Sequence, residues 1–532
     1  MTHSETDRWH RGAVIYQIYP RSFQDTDGDG VGDLPGITQR LDYVASLGVD
    51  GIWISPFFTS PMRDFGYDVA DYCAVDPLFG TLEDFDALIA RAHELGLKVI
   101  IDQVYCHTSD EHDWFKQSRA SRENDKADWY VWADAKPDGS PPSNWQSVFG
   151  GPAWRWDGRR KQYYLHNFLP SQPQLNLHKR EVQDALLEAA RFWLARGVDG
   201  FRVDAINFAM HDPALTDNPP SHLPLSHVTR PFDMQLHAYN QSHKDIPIFL
   251  ERLRSLLDEF GATFSVAEVV GAEPLDEMKS FTGERRLHTA YNFDFLYLPD
   301  LSAQAVREAL EPFEADGRDV WPSWAFSNHD APRAVSRWSL GKGSEDFAKC
   351  LMLLILAFRG NIFLYQGEEL ALPQGEIPFE KLQDPEAIEN WPHTLGRDGA
   401  RTPMVWSQDE PNSGFSNAEP WLPISSDQSG RSAEKVEADE NSILHFTRKL
   451  IAFRKDSAAL LHGDLIFLDT AKDILAFIRE ADGEKILCLF NLSDTERTFH
   501  LPDGYEAIFK SPGIEIEAGK LPAWSGAWLK MG

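Results

Sequence analysis

The chain has only four cysteines, Cys73, Cys106, Cys350 and Cys488, and no two of them form a CxxC pair. This scatter argues against both a cysteine zinc site and a disulfide framework, and implies reduced thiols. No apolar run approaches the roughly 18 residues of a membrane span, and Met1 to Arg11 is polar, without the apolar core of a secretory signal. The expectation is a cytoplasmic protein with no membrane partner. Positive charge is also short. Lys and Arg number 51 against 82 Asp and Glu, a net charge of −31 that repels nucleic acid and anionic membrane but leaves a neutral substrate unaffected.

What is present is a repeating pattern. Apolar runs ending in polar residues occur at Ala13 to Tyr19, Val49 to Ser55, Leu97 to Asp102, Val198 to Asp204, Thr263 to Glu268, His288 to Asp294, Trp324 to Asp330 and Asn361 to Gln366. Helical patterns lie between them. In Thr81 to Leu95, Thr81 is the cap, Leu82, Phe85, Leu88, Ile89 and Ala92 form one face, and Gly96 is the stop. Arg180 to Arg196 behaves alike, with Val182, Ala185, Leu186, Ala189, Phe192 and Trp193 inward and Gly197 ending it. Eight buried strands alternating with helices predict an α/β fold, a (β/α)8 TIM barrel, with catalytic groups at the C-terminal strand ends.

The spacing between strands marks insertions. The barrel is expected to begin over 1–104 and to be interrupted by a subdomain over 105–173 after strand three. It resumes over 174–456, with a further insertion at about 372–437 and another at about 207–246. A helix at about Ser442 to Arg454 follows. From 457 to 532 short alternating runs, Leu465 to Leu468, Ile474 to Ile478, Lys485 to Leu492, Arg497 to Leu501 and Ile514 to Glu517, predict an antiparallel β-sandwich domain.

Gly200 to Ile206 is the stretch around which the rest is organised. In an extended run residues i and i+2 share a face, so Arg202 and Asp204 point together above the strand. A neighbouring guanidinium keeps a carboxylate ionised, as a nucleophile at neutral pH requires, and Asp204 is the candidate nucleophile. Asp102, Glu268 and Asp330 fall at the ends of other predicted strands. A separate signal is Asp25 to Asp33, where alternate carboxylates with intervening glycines resemble the start of an EF-hand loop. Asp25, Asp27, Asp29 and the Val31 carbonyl supply hard oxygen ligands, and Asp33 completes the set. The twelfth position is Gly36 rather than Glu, which excludes a helix-loop-helix sensor. The expected cofactor is one structural divalent cation, calcium, with magnesium as the alternative.

Asp102 to His107 (DQVYCH), Gly200 to Asp204 (GFRVD), Val266 to Glu268 (VAE) and Ser327 to Asp330 (SNHD) occur in this order on strands three, four, five and seven. Together with Tyr16 to Pro20, Tyr365 to Glu369 and Arg397 to Met404, they make the chain resemble the α-amylase superfamily, glycoside hydrolase family 13, in its α-glucosidase and oligo-1,6-glucosidase branch, over essentially its whole length. The resemblance implies that Asp204 attacks the anomeric carbon, that Glu268 protonates the leaving oxygen and then activates water, and that Asp330 grips ring hydroxyls. The α configuration is then retained. It further implies that His107 and His329 bind the first glucose and that Tyr67 is its platform. Asp64 and Arg397 close the pocket end and make the enzyme exo-acting. Phe149 and Phe168 in the insert are expected either to line the pocket or to pack in the core, Arg202 is expected to support the site, and the resemblance implies that Ala205 borders the leaving sugar and, as an Ala rather than a Val, accompanies α-1,4 over α-1,6 preference.

The chain also departs from the family pattern. Cys106 stands where relatives carry Asn, and Gln174 replaces Asp in Gln172 to Asn176, so the calcium that amylases hold between barrel and insert is expected to be absent. Val269 and Val270 replace an Ile-Gly pair beside Glu268. Three functions compete. The first is an α-glucosidase acting on short α-glucosides, with transglucosylation as a side activity. The second is a sucrose isomerase or trehalose synthase-like transferase, and the third a non-catalytic binding or transporter-associated relative. A monomer or homodimer is expected.

Overall fold

The computed structural model describes residues 9–531 apart from 226–227, 263, 270–272, 316–319, 340–342, 395, 502–503 and 517. Thr263, Val270, Glu517 and residues 1–8, on which parts of the sequence reading fell, lie outside the described residues. Eight parallel strands close into a barrel: β1 (Val14–Ile18), β2 (Gly51–Ile54), β3 (Lys98–Val104), β4 (Gly200–Asp204), β5 (Phe264–Ala267), β6 (Thr289–Tyr291), β7 (Pro322–Ala325) and β8 (Asn361–Tyr365). Around them lie α1 (Leu34–Ser46), α2 (Leu82–Glu94), α3 (Arg180–Ala195), α4 (Ile246–Glu259), α5 (Pro274–Phe281), α6 (Ala303–Ala315), α7 (Glu345–Leu356) and α8 (Ile443–Asp456).

The helices form where caps and periodicity agree. Thr81 caps α2 through a reciprocal bond with Asp84, and Phe85, Leu88, Ile89 and Ala92 are its buried face. The α3 face is broader than expected: Gln183, Ala190 and Leu194 are buried as well, while Ala185 and Phe192 are only partly covered. Gly200 opens β4 because a side chain there would have its Cβ 2.3 Å from the Phe264 carbonyl of the neighbouring strand.

Along the barrel interior the side chains change character with height. An apolar layer that includes Ile15, Ile100, Phe264, Val266 and Phe363 fills the lower part. Two residues further along the same strand faces than Ile15, Ile100 and Val266 stand Gln17, Asp102 and Glu268, and Arg202 and Asp204 of β4 stand among them, all buried. Charged groups that would be costly in isolation are therefore gathered at the C-terminal end, where they can pair.

Three strand ends differ from the sequence reading. β3 runs on to Val104, so Asp102 lies within it rather than at its end. β7 begins at Pro322 and ends at Ala325, so Asp330 lies on the following loop rather than on the strand. There the Asn328 carboxamide accepts from the Asp330 and Ala331 amides and fixes the turn. β6 ends at Tyr291 because Asn292 caps a single helical turn, Phe293–Leu296.

Between β3 and α3 lie a short helix, Asp113–Ala120, and a three-stranded antiparallel sheet of Trp132–Ala133, Gln162–Leu165 and Trp154–Asp157. Val131, Trp145, Ala153, Trp154 and Leu165 pack beside it. After α8 the chain forms a five-stranded antiparallel sheet from β9 (Asp464–Phe467), β10 (Ile474–Ala481), β11 (Glu484–Asn491), β12 (Tyr505–Lys510) and β13 (Ser525–Met531), in the order β9-β10-β11-β13-β12. A two-stranded ribbon, Arg497–Thr498 with Lys520–Leu521, is all that pairs on its far side among the described residues. Of the expected Ile514 to Glu517 strand only a single bridge at Glu515 forms. The near face docks on the barrel: Trp528 donates to the Leu353 carbonyl of α7. Arg454 of α8 and Arg479 of β10, both fully buried, donate to the carbonyls of Leu356, Ala357, Phe358 and Gly360 at and beyond the end of α7.

Candidate active site

Register sets the floor of the site. Asp102 on β3 pairs with Arg202 on β4, and Arg202 pairs with Val266 on β5, so inward-facing side chains of three strands meet at one height. Arg202 Nη1 donates to Asp102 Oδ1 at 2.6 Å and to Asp204 Oδ1 at 2.5 Å, and Nη2 donates to Glu268 Oε2 at 2.7 Å. Trp53 Nε1 donates to the other oxygen of Asp102 at 2.8 Å. Three carboxyl groups thus share one guanidinium that is 1% exposed.

One positive charge cannot hold three buried negative ones, and the balance appears as protonation. Burial, opposed by Arg202 and reinforced by Asp204 and Asp330, pushes Glu268 up to about 8. Burial, opposed by Arg202 and reinforced by Asp102, pushes Asp204 up to about 6, and a hydrogen bond with Glu268 counters that rise. Asp102 is likewise pushed to about 6, chiefly by burial. At neutral pH the proton therefore resides on Glu268 and Asp204 is mostly ionised. The Ala205 amide donates to Glu268 Oε2 at 3.0 Å, and Ala205 itself sits at φ 40°, ψ 38°, a left-handed conformation unusual for a residue with a Cβ.

The second part of the site has the opposite balance. Arg397 Nη2 donates to Asp64 Oδ1 at 3.0 Å and to Asp384 Oδ1 at 2.8 Å, and Nη1 reaches Asp330 Oδ1 at 3.4 Å. Arg401 Nη2 donates to the same Asp330 oxygen at 2.6 Å. Burial alone would raise Asp330, but the charges of Arg401 and Arg397, with the His329 ring nitrogen in contact, outweigh it and hold the carboxyl well below its usual range. His329 is fully buried and neutral, since burial pushes it down to about 3. The Gln17 amide reaches its Nδ1 at 2.8 Å, leaving Nε2 to face the Tyr67 hydroxyl at 2.6 Å and Asp330 Oδ2 at 3.2 Å.

These two groups open into one cavity of about 500 Å³, which Asp64, Tyr67, His107, Phe149, Phe168, Asp204, Ala205, Glu268, Asp330 and Arg397 line. The sequence reading had singled out all ten. Arg202 and His329 are placed differently: they lie beneath the lining and orient the carboxylates above them, rather than facing the cavity. Residues that were not read as site residues complete it. Gln172 joins Asp64 to His107, at 3.0 and 3.1 Å. Asp384 anchors Arg397. At the mouth Arg230 bridges the Val148 carbonyl and Glu386, at 3.1 and 3.6 Å, and Phe208, Phe232, Phe293 and Tyr297 complete the wall. Arg230 and Phe232 come from the long loop after β4, where the advance signal was the excess length of the loop; Phe293 lies on the helical turn after β6 and Glu386 on the short helix Pro385–Asn390 in the insertion after β8.

At the amylase calcium position the Gln174 amide donates to the Phe208 carbonyl at 2.8 Å and accepts from Asn167 at 2.9 Å. An N–H donor stands where a cation would need an anion. In the Asp25 loop, by contrast, the carboxylates of Asp25, Asp27 and Asp29 converge, their nearest oxygens within 4.8 Å of one another. This hard oxygen set suits calcium or magnesium. Asp33 is engaged otherwise, accepting from Thr26 and from the Gly36 amide as the cap of α1.

Comparison with known proteins agrees with this geometry. Residues 17–463 match the family described as alpha amylase, catalytic domain. A probable alpha-glucosidase of Rhizobium meliloti is 52% identical over 99% of this chain and 98% of its own, and an oligo-1,6-glucosidase of Heyndrickxia coagulans is 35% identical over 93% and 94%. The crystal structure of an alpha-glucosyl transfer enzyme, XgtA, superposes with a TM-score of 0.95 at 49% identity, over 99% of this chain and 100% of that one. A trehalulose synthase, MutB, superposes with a TM-score of 0.90 at 34% identity, over 98% and 100%. With the family domain spanning most of the chain and a barrel-top cluster of carboxylates at its centre, the chain belongs to the alpha-amylase family, glycoside hydrolase family 13, and is an enzyme of it.

Proposed function

We propose that the enzyme is a retaining, exo-acting α-glucosidase that releases glucose from the non-reducing end of short α-glucosides, prefers α-1,4 linkages and transfers glucose to alcohols as a side activity. The observation that carries this reading is the unequal sharing of Arg202. It leaves an ionised Asp204 and a protonated Glu268 close enough to hydrogen-bond. Inverting enzymes keep their carboxyl groups about 6.5–9.5 Å apart to admit a water between them, whereas direct attack needs the closer arrangement. Asp204 attacks the anomeric carbon while Glu268 gives its proton to the leaving oxygen. The resulting glycosyl-enzyme is hydrolysed by water that Glu268, now ionised, deprotonates.

The exo action is supported by the closed end of the cavity. Asp64 and Arg397 form a wall of paired charge, anchored from behind by the buried Asp384, whose remaining hydrogen-bonding capacity suits the hydroxyls of a terminal sugar, and Asp330 lines the same cavity. Asp25, Asp27 and Asp29 would hold a structural calcium or magnesium ion, which stiffens that loop and takes no part in the reaction. Four free cysteines support a reducing, cytoplasmic setting. Among the described residues no helix is long and apolar enough to cross a membrane.

A panel of α-linked disaccharides, with free glucose measured enzymatically and products separated by thin-layer chromatography, tests the proposal. Glucose from maltose is expected. A second reading, glucosyl transfer or isomerisation as the main reaction, is favoured by the likeness to the alpha-glucosyl transfer enzyme and the trehalulose synthase. Sucrose converted to an isomer with little free glucose would select it.

A further inference from the structure

A second cluster of ligating side chains lies away from the sugar cavity. His178, His243 and Asp245 each offer a ligand atom, and these atoms lie within 4.8 Å of one another. They come from two distant places in the chain: His178 precedes α3 by two residues, while His243 and Asp245 form the entry to α4.

The local hydrogen bonding prepares these groups as ligands. His178 Nε2 lies 2.8 Å from the His211 carbonyl, which can only accept, so this nitrogen carries the proton and the lone pair is on Nδ1. Fixing the tautomer through a backbone carbonyl is the usual way a protein orients a metal-binding imidazole. His243 Nδ1 accepts from the Asp245 amide at 3.3 Å, which leaves the proton on Nε2, and Asp245 Oδ2 lies 3.8 Å from the same Nδ1. Asp245 also occupies the cap position of α4 without capping it, and Lys244 engages only its Oδ1, at 2.9 Å.

An independent observation comes from His211. Its ring packs edge-on against His178 at 5.1 Å, it is 7% exposed, and its Nδ1 has no hydrogen-bond partner. His178 and His211 line a second cavity of about 320 Å³, together with Asp128 and with Asn176, whose Oδ1 is likewise without a partner. The cavity reaches the cluster from the His178 side only, and His243 and Asp245 lie outside its lining.

We propose that His178, His243 and Asp245 form a binding site for a transition-metal dication, with zinc as the best match. Two imidazole nitrogens and one carboxylate oxygen are a zinc donor set and a poor one for calcium or magnesium, so the site is chemically distinct from the Asp25 loop. Bond lengths of about 2.0–2.2 Å place tetrahedral ligands roughly 3.3–3.5 Å apart, and the observed 3.8 Å between His243 and Asp245 closes to this by side-chain rotation. Three protein ligands leave a fourth position for water. The ion would tie the start of α3 to the start of α4, bracing the loop between β4 and α4 that carries Phe208, Arg230 and Phe232 of the sugar cavity wall.

The test uses the full-length enzyme, stripped with a chelator and returned to millimolar magnesium so that the Asp25 loop is saturated. Zinc chloride is then titrated by calorimetry, and cobalt is followed by the visible absorption of its tetrahedral complexes. The expected result is one zinc per chain with a micromolar Kd, weakened at least tenfold by His243→Gln and by Asp245→Asn, and unchanged by Asp25→Ala with Asp29→Ala. At about a hundredfold excess over Kd, zinc should raise Tm by about 2 °C in the wild type and not in these two variants. Asp245→Asn changes a partly exposed side chain, so loss of zinc with unaltered circular dichroism isolates the site from folding. Absence of saturable zinc binding in the wild type, or equal binding by wild type and both site variants, would overturn the proposal.

Discussion

The floor and the closed end of the sugar cavity are built from the same residue types and behave in opposite ways. At the floor Asp102, Asp204 and Glu268 share Arg202, and burial pushes all three carboxyls up. At the closed end Asp64, Asp330 and Asp384 share Arg397 and Arg401. Burial is again the largest influence, yet Asp330 and Asp384 are held below their usual range, and only Asp64 remains raised. The difference is stoichiometric. Three carboxylates for one guanidinium leave a proton in the cluster, which the floor can give and take back; three for two guanidiniums, with the neutral His329 beneath, leave fixed charges suited to gripping hydroxyls.

The sharpest test of this division is Asp204→Asn, which removes the attacking group while leaving the grip intact. Its kcat should fall at least about a thousandfold because a covalent step is lost, whereas affinity for a terminal glucoside should persist. A fluorinated slow-turnover glucoside should label the wild type at Asp204 alone, and a label on any other peptide would remove the assignment. Next in size is Arg397→Met, which gives the closed end the charge ratio of the floor. The loss of charge-assisted contacts worth roughly 3 kcal/mol predicts a fall of about a hundredfold in kcat/KM, with the pH optimum unmoved. A shifted pH optimum would mean that the two ends are not separate.

How much of this could be read beforehand depended on whether a residue belongs to a local pattern. All eight barrel strands were legible because each is a short apolar run with polar residues at its end. Glu268 and Asp204 followed from those ends. Strand seven was read too far along the chain, since nothing in the run Trp324 to Asp330 announces the Asn328 turn, which depends on one side chain bonding two amides. The central C-terminal strand β13 (SGAWLKM) was missed for a different reason: with small residues and a buried Trp it lacks alternation and is stabilised by two neighbouring strands and α7. Asp384 and Gln172 were invisible as site residues because their partners, Arg397 and Asp64, are settled only by tertiary approach. The ribbon facing the C-terminal sheet is narrower than a full sandwich because the other face of that sheet is already spent on the barrel helices.

Linkage choice probes the open side of the floor. Ala205 follows the nucleophile, lines the cavity and adopts positive φ. Ala205→Val should shift preference from maltose toward isomaltose, because the added methyl groups occupy space that a directly attached α-1,4-linked ring needs, whereas an α-1,6 link has an extra rotatable bond. The expected change in the ratio of the two kcat/KM values is about tenfold to two-hundredfold. A β-branched residue is also strained in the left-handed region, so Tm should fall as well. The ratio, not the absolute rate, is the readout, and an unchanged ratio would transfer the role to the loop after β4.

The floor should also announce itself in pH dependence. The proposed mechanism requires Asp204 ionised and Glu268 protonated, so kcat/KM should rise up to about 6 and fall above about 8, with both limbs belonging to the coupled pair. The sign for stability follows from the same shift. A Glu268 carboxyl raised above its unfolded value contributes stability that is complete below about 4.5 and is lost as pH rises through about 8. Glu268→Gln cannot ionise, so its Tm relative to wild type should improve steadily toward alkaline pH. Parallel Tm curves for the two proteins would show that Glu268 is not the group holding the proton.

The smallest effect on activity is expected from the Asp25 loop, which serves as the control for both ends. The loop is tied to the rest of the molecule through Asp25, which accepts from Ser416, and through Gly30, whose carbonyl accepts from the Trp421 amide. Trp421 in turn lies beneath Arg21, with its ring 6.3 Å from Tyr19, and Tyr19 packs against His329 at 5.5 Å. A bound cation would therefore influence the sugar only through several layers of packed aromatic rings, each of which can relax. Replacing Asp25 and Asp29 with Ala, or removing calcium and magnesium with a chelator, should lower Tm by a few degrees because an ion that binds only the folded state stabilises it by mass action. The preference for maltose over isomaltose should stay within about twofold of wild type, far short of the change expected at Ala205. Metal analysis of the untreated enzyme and differential scanning calorimetry with and without chelator provide the measurement. A chelated enzyme with unchanged Tm would remove the ion from the loop, and a changed linkage preference would show that the aromatic path couples the loop to the closed end.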